Sequence, residues 1–194
     1  DTIPGSHALS VGVVGTYSRA SANRAVTEAD LVFFAGSETG GMTTHFWKVP
    51  PIGVPAIQLD INPEQLGRNY PLKAAVLGDA KVSLQKMLEL ADASTAAARK
   101  AWVERAQSIV AEWRKEFDPL LNSDAVPMRV ERICNELSKH LPSDAMVLAD
   151  TGHAGMWMGG MFDLNAPTQS YTRSFGHLGW AFSAGLGAKC ALPD

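Results

Sequence analysis

The chain has little cysteine, no surplus of positive charge and no long apolar run, and each shortage closes a class of function. Two of its 194 residues are cysteine, Cys134 and Cys190, far apart and in unrelated contexts. They read as two buried thiols of a protein kept reduced in the cytoplasm, not as a disulfide framework. Seventeen Lys and Arg against twenty Asp and Glu leave a net charge of −3. With no basic patch, neither nucleic acid nor an anionic membrane surface is an expected partner. No apolar run approaches the ~20 residues that span a bilayer, and no stretch reads as a signal peptide. The chain opens on Asp1, not Met, so a piece of a longer protein is expected. Internal repeats are absent, and the single low-complexity tract is the Ala-rich segment from Ala91 to Ala98.

What is present is ordinary globular material, 46% apolar and 19% charged, enough for one good domain or two small ones. Ser21 to Ala29 reads as a helix leading into Asp30. Leu31 to Ala35, closed by Gly36-Ser37, is a continuous apolar run of the kind buried on both faces in a parallel sheet. Ala56 to Ile61, introduced by proline turns, is a second strand, and Ala74 to Leu77, ending at Gly78-Asp79, a third. Asp79 can cap the next helix, whose Leu84, Met87, Leu88 and Ala91 share a face. Strands and helices alternate, which predicts a doubly wound α/β layer.

The period changes from Thr95 to Phe117, where Trp102, Ala106, Ile109, Trp113 and Phe117 recur at helical spacing. One long amphipathic connecting helix is expected there, ended by Asp118-Pro119. After the Asn122-Ser123-Asp124 loop, Pro127 suits the first turn of another helix with Val130, Ile133, Cys134, Leu137 and Leu141 on one face. Ala145 to Leu148 is a further strand, with Asp150-Thr151-Gly152 at its end. A second α/β unit thus begins near residue 126, with two strands at most against three or four in the first.

The most informative stretch is Ser174-Phe175-Gly176-His177-Leu178-Gly179-Trp180, which opens an Ala/Gly-rich helical run ending Gly187-Ala188-Lys189 and then Pro193-Asp194. Glycines at such a mouth let backbone approach a ligand, and the first helix amides are expected free to face it. The stretch resembles the diphosphate-domain loop of thiamine-diphosphate enzymes of the acetolactate synthase and benzoylformate decarboxylase type. The resemblance extends over essentially the whole chain. His7 through Gly15, Ala22 through Val26, Leu59-Asp60-Ile61-Asn62-Pro63, Gly67-Arg68-Asn69-Tyr70-Pro71 and Gly78-Asp79-Ala80-Lys81 resemble the later part of the family's central domain. The Trp-bearing helix corresponds to its linker, and Pro127 through Asp194, including Asp150-Thr151-Gly152-His153 and Met156-Trp157, to the first part of its diphosphate-binding domain. The implied division is residues 1–92 central domain, 93–125 linker and 126–194 diphosphate-binding domain.

The resemblance implies the following roles. The Gly176 carbonyl accepts a hydrogen bond from the cofactor's 4′-amino group, the Leu178 side chain wedges between the two rings and its amide bonds the pyrimidine. Gly179 completes the loop, while Gly152 and His153 stand where the family contacts the diphosphate. His153 replaces the family's glutamine and Ala154 its histidine, and an imidazole still donates to phosphate. His177 is unusual inside this loop: it is either an acid or base facing substrate or a solvent-facing residue. The family's N1′ glutamate and its metal-binding Gly-Asp-Gly segment have no counterpart here, so no metal ligand is expected in this chain.

In the central domain Gly36, Ser37, Asp60, Ile61 and Asp79 lie at strand ends where α/β sheets hold nucleotides. ADP stays open there; Glu38, standing where flavin-bearing relatives carry arginine, argues against FAD. The resemblance therefore implies part of a thiamine-diphosphate- and Mg²⁺-dependent decarboxylase or carboligase, inactive alone. Its substrate would be a 2-oxo acid or aldehyde and its assembly a homodimer or homotetramer. The rival reading is a non-catalytic nucleotide-binding or structural module.

Overall fold

The computed structural model describes residues 3–193. Two compact units share the chain: Val14–Thr16 with Ala22–Ala106, and Asp1–Val13 with Tyr17–Ser21 and Gln107–Asp194. No described helix is long and apolar enough to cross a membrane.

The first unit holds most of helix α1 (Ala20–Glu28), strands β1 (Val32–Ala35), β2 (Ala56–Asp60) and β3 (Leu72–Leu77), helix α2 (Ala80–Leu90) and the start of α3 (Ala96–Leu121). The strands form one parallel sheet in the order β1-β2-β3, with Ala35 opposite Leu59 and Asp60 opposite Leu77. This is the α/β layer that the alternating pattern predicts. Its core is small: Ala22 and Ala25 of α1, Ala56 and Leu59 of β2, and Tyr70, whose hydroxyl donates to the Pro50 carbonyl at 3.0 Å. Gln58, polar yet buried in the middle strand, donates to the Ser37 carbonyl and accepts from the Gly67 amide, both at 3.0 Å. A buried amide costs little once both ends are paired.

One expectation fails in this unit, that β1 is buried on both faces. β1 alternates between half-buried and exposed residues, with Phe33 open to solvent, because it is an edge of the sheet; only β2 is covered along its length. The apolar stripe of α2 is likewise exposed at Leu84 and Leu88, and no residue of that helix is buried.

The second unit holds the rest of α3, helix α4 (Val130–His140), strand β4 (Met146–Ala149), helix α5 (His153–Met161), strand β5 (Ser170–Arg173) and helix α6 (Trp180–Ala191). β4 and β5 pair in parallel, Met146 opposite Ser170 and Ala149 opposite Arg173. Ile109, Trp113, Cys134, Ala149 and Phe162 are buried. The aromatic ridge of α3 lies as expected at Trp113 and Phe117, whose rings stack 5.2 Å apart; Trp102 is exposed. A buried ionic knot lies beside it. Arg19, 4% exposed, donates to the Gly160 carbonyl at 2.8 Å, the Phe162 carbonyl at 3.1 Å and Asp163 Oδ1 at 2.7 Å. Arg114 takes the other oxygen of Asp163, and the Arg19 and Arg114 guanidiniums lie 4.4 and 5.0 Å from the Trp113 ring centroid.

Neither proline acts as the sequence pattern predicts. Pro119 stands inside the last turn of α3, which runs on to Leu121, because near a helix end the ring removes one hydrogen bond without altering the helical path. Pro127 precedes α4 and does not open it: Arg129 is still extended (φ −70°, ψ 144°), and the helix starts at Val130. The expectation of two buried thiols also needs correction. Cys134 is buried, with burial pushing its thiol up to about 11, whereas Cys190 is exposed on the last turn of α6.

Candidate functional site

Parallel pairing puts the C-terminal ends of β4 and β5 side by side, so the loops leaving them, residues 150–152 and 174–179, meet at one edge. This is where open α/β sheets present ligand sites. The two loops are joined directly. Asp150, the first residue beyond β4, accepts from the Gly179 amide at 3.0 Å and the Ala181 amide at 2.8 Å. These amides, Ala181 foremost, hold its carboxyl below the usual range. Asp150 thereby caps α6 from another strand, since Gly179 has no side chain to cap with and adopts a left-handed conformation (φ 81°). The expectation that the first amides of this helix are free for a ligand is thus corrected: a carboxylate already holds two of them.

The loop between Ser174 and Gly179 is held open. Ser174, buried, donates from its hydroxyl to the His177 carbonyl at 2.7 Å and pinches the loop base. Phe175 and Leu178 then project, 98% and 78% exposed. Gly176 (φ 99°) and Gly179 have open space where a β-carbon would be, and so does Gly152 (φ 73°). The Gly176 carbonyl and the Leu178 amide, the two backbone groups the resemblance assigns to the cofactor, have no partner among the described residues. His177 is exposed, consistent with either of its two readings.

On the facing loop Gly152 precedes α5 with no side chain capping the helix, and His153 opens it, exposed. The structure therefore brings Gly152 and His153 to the same strand ends as Gly176, Leu178 and Gly179. Their chemistry suits a cofactor with an anionic tail and a flat polar head. The uncapped start of α5 offers donor groups, and the open space over three glycines gives room. An anion has no such place at α6, where Asp150 sits. Among the described residues no group of three or more His, Cys, Asp or Glu could hold a metal ion.

Two parts of this site escape the sequence reading. β5 is short, and its Ser-Tyr-Thr-Arg sequence has only the Tyr-Thr pair as a β signal. α5 is hidden because four of the residues from Gly152 to Gly160 are glycine, a poor helix former. Those glycines serve close packing. A β-carbon on Gly159 would lie 2.4 Å from the Tyr17 carbonyl oxygen, and one on Gly155 would lie 2.6 Å from Arg173 Cδ.

In the first unit, the C-terminal ends of β1, β2 and β3 enclose a cavity of about 320 Å³. Gly36, Asp60, Ile61 and Asp79 line it as the sequence implies; Ser37 does not, its carbonyl being taken by Gln58. Glu38 lines it as well. Asp60 Oδ1 accepts from the Asn62 amide and Asp79 Oδ1 caps α2 through the Val82 amide, both at 2.9 Å. The rim is rich in acceptors and carries three carboxylates.

Residues 1–87, which hold the whole three-stranded sheet, match the family described as thiamine pyrophosphate enzyme, central domain, and are of that class. Over nearly its full length the chain is similar to particular enzymes of the class. It is 29% identical over 199 residues to the probable acetolactate synthase large subunit of Methanocaldococcus jannaschii, covering 98% of this chain and 33% of that protein. It is 30% identical over 191 residues to the acetolactate synthase large subunit of Parasynechococcus marenigrum, covering 96% and 30%. It is 28% identical over 216 residues to the sulfoacetaldehyde acetyltransferase of Castellaniella defragrans, covering 100% and 36%. The chain spans about a third of the length of these curated relatives.

Proposed function

We propose that the chain is the later central domain, linker helix and opening diphosphate-binding domain of a thiamine-diphosphate- and Mg²⁺-dependent enzyme. It would cleave or form a carbon–carbon bond beside the carbonyl of a 2-oxo acid or aldehyde, within a homo-oligomer. The observation that carries this reading is the meeting of the 150–152 and 174–179 loops, with the Gly176 carbonyl and the Leu178 amide unpaired among the described residues beside an exposed Leu178 side chain. The names of the relatives, acetolactate synthase and acetyltransferase, support transfer of a two-carbon unit. Bound here, thiamine diphosphate supplies the electron sink for the carbanion formed when such a bond breaks. The chain's own groups orient it. The Gly176 carbonyl would accept a hydrogen bond from the cofactor's amino group, Leu178 would separate the two rings, and Gly152 and His153 would receive the anionic end at the start of α5. His177, exposed on the same loop, would be the imidazole that exchanges a proton with substrate.

The test is Leu178→Ala in the intact protein. It removes the wedge and leaves the backbone groups, so kcat should fall about tenfold or more while cofactor affinity changes little. A variant with wild-type kcat at saturating cofactor would remove this loop from the site.

A second reading concerns the first unit, where the acceptor-rich cavity favours a nucleoside over a nucleotide. Glu38, Asp60 and Asp79 suit the donor groups of ribose and adenine and repel phosphate. Calorimetric titration should therefore show adenosine binding at least as tightly as ADP, and FAD not at all; tighter binding of ADP would reverse that assignment.

A further inference from the structure

The last residue of β5 is a cation with no ion pair among the described residues. Arg173 lies opposite Ala149 at the strand ends where the two loops meet. Its side chain crosses the first turn of α5: Cδ and Nη1 pass 2.6 and 3.3 Å from where a β-carbon on Gly155 would be, so only glycine lets the arginine lie there. The guanidinium carbon sits 4.3 Å from the Tyr17 ring centroid. Nη1 is buried and has no hydrogen-bond partner. The nearby carboxylate, Asp150, is held by the Gly179 and Ala181 amides, and Arg173 is in no ion pair among the described residues. Arg173 is half-buried, and the face of a tyrosine offsets only part of the cost of drawing a guanidinium out of water, where a charge ordinarily has an anion beside it.

We propose that Arg173 is an anion-binding residue of this site, the part of its guanidinium beyond the buried Nη1 donating to an oxyanion of the ligand seated across the ends of β4 and β5. The proposal deepens the functional reading above and rests on it for the position of the ligand. The oxyanion is either a phosphate of the cofactor or the carboxylate of a 2-oxo acid, since both accept from a guanidinium fork. Tyr17 and Gly155 hold the plane of that fork, so charge alone does not replace it.

The test compares the chain with its Arg173→Met and Arg173→Lys variants. Each is titrated calorimetrically with pyrophosphate and, separately, with pyruvate, and each is melted without ligand. Wild type should bind one of the probes, and Arg173→Met should bind that probe at least about tenfold more weakly, with Arg173→Lys in between. Loss of pyrophosphate binding assigns the cofactor phosphate; loss of pyruvate binding assigns the substrate carboxylate. The ligand-free melting temperature separates binding from packing. A half-buried cation kept without an ion pair for a ligand predicts that Arg173→Met melts at or above wild type. Wild type binding neither probe would overturn the proposal, as would unchanged affinity in both variants. If the methionine variant does not fold, Arg173→Lys decides by the same affinity criterion. Should the intact protein prove independent of thiamine diphosphate while Arg173 still controls anion binding, the functional reading fails and the anion site stands.

Discussion

Asp150 shows how one carboxylate can shape a site without being its ligand. By taking the Gly179 and Ala181 amides it fixes the start of α6 against β4, which leaves α5 as the helix start open to an anion. Because those amides depress its pKa, the stability it contributes is fully present above the ordinary carboxylate value near ~4 and is lost as pH falls through the lower folded value. Asp150→Ala should therefore melt below wild type at pH 7, with the gap narrowing as the pH is lowered from about 5 toward 2. Thermal melts across that range check it; a gap independent of pH would mean that the carboxylate does not act as the cap. The Arg19–Asp163 pair makes a sharper case. Arg19→Met leaves Asp163 with Arg114 alone and strips donors from two buried carbonyls, so chemical denaturation should show a loss of about 3–5 kcal/mol. The exposed Lys86–Glu89 pair is the control, and removing it should cost at most about 1 kcal/mol.

Elements in this chain are set as much by what covers them as by their own residues. Between Gly40 and Val49 the loop after β1 turns back through His45, Phe46 and Trp47, three successive left-handed residues (φ 49°, 55° and 59°). The turn is held by the Phe46 amide on the Gly41 carbonyl at 2.6 Å and by Trp47 Nε1 on the Thr39 carbonyl at 3.1 Å. A β-branched side chain fits that conformation worst. Phe46→Val should thus be less stable than Phe46→Gly by about 1–2 kcal/mol, a comparison made by equilibrium unfolding of the two variants. The uncovered α2 stripe leads to a different expectation. Leu84 and Leu88 stand one turn apart and exposed, and β1 offers a free edge, so the purified chain should self-associate. Replacing both leucines with glutamate should shift sedimentation toward monomer while changing stability by no more than about 0.5 kcal/mol. A wild-type monomer at high concentration would show that these faces need no cover.

For the molecule as a whole, the site is built from backbone and short loops, with no metal-binding group among the described residues. A diphosphate needs a cation to neutralise it, so residues 1–194 supplied with thiamine diphosphate and Mg²⁺ should not decarboxylate pyruvate above background. Product measurement by coupled assay checks this. Turnover by the chain alone would mean that the groups named here already complete a catalytic centre.

The sequence by itself determined the strands other than β5 and the helices other than α5, because buried parallel strands and amphipathic helices write their periods into adjacent residues: β2, β4 and the Trp113–Phe117 ridge of α3 all lie where their patterns put them. Motif order also put the candidate residues of both proposed sites at strand ends, since glycines needed for left-handed turns and the acids at strand ends are local requirements. Tertiary structure alone decided which faces are covered, because burial depends on neighbours far away in sequence. Thus β1 became an edge, the α2 stripe stayed in solvent, and Cys190 faced out. It alone placed Arg173 across Gly155 and Asp150 on the α6 amides. Such pairings join residues about 20 to 30 positions apart, and no local period records them.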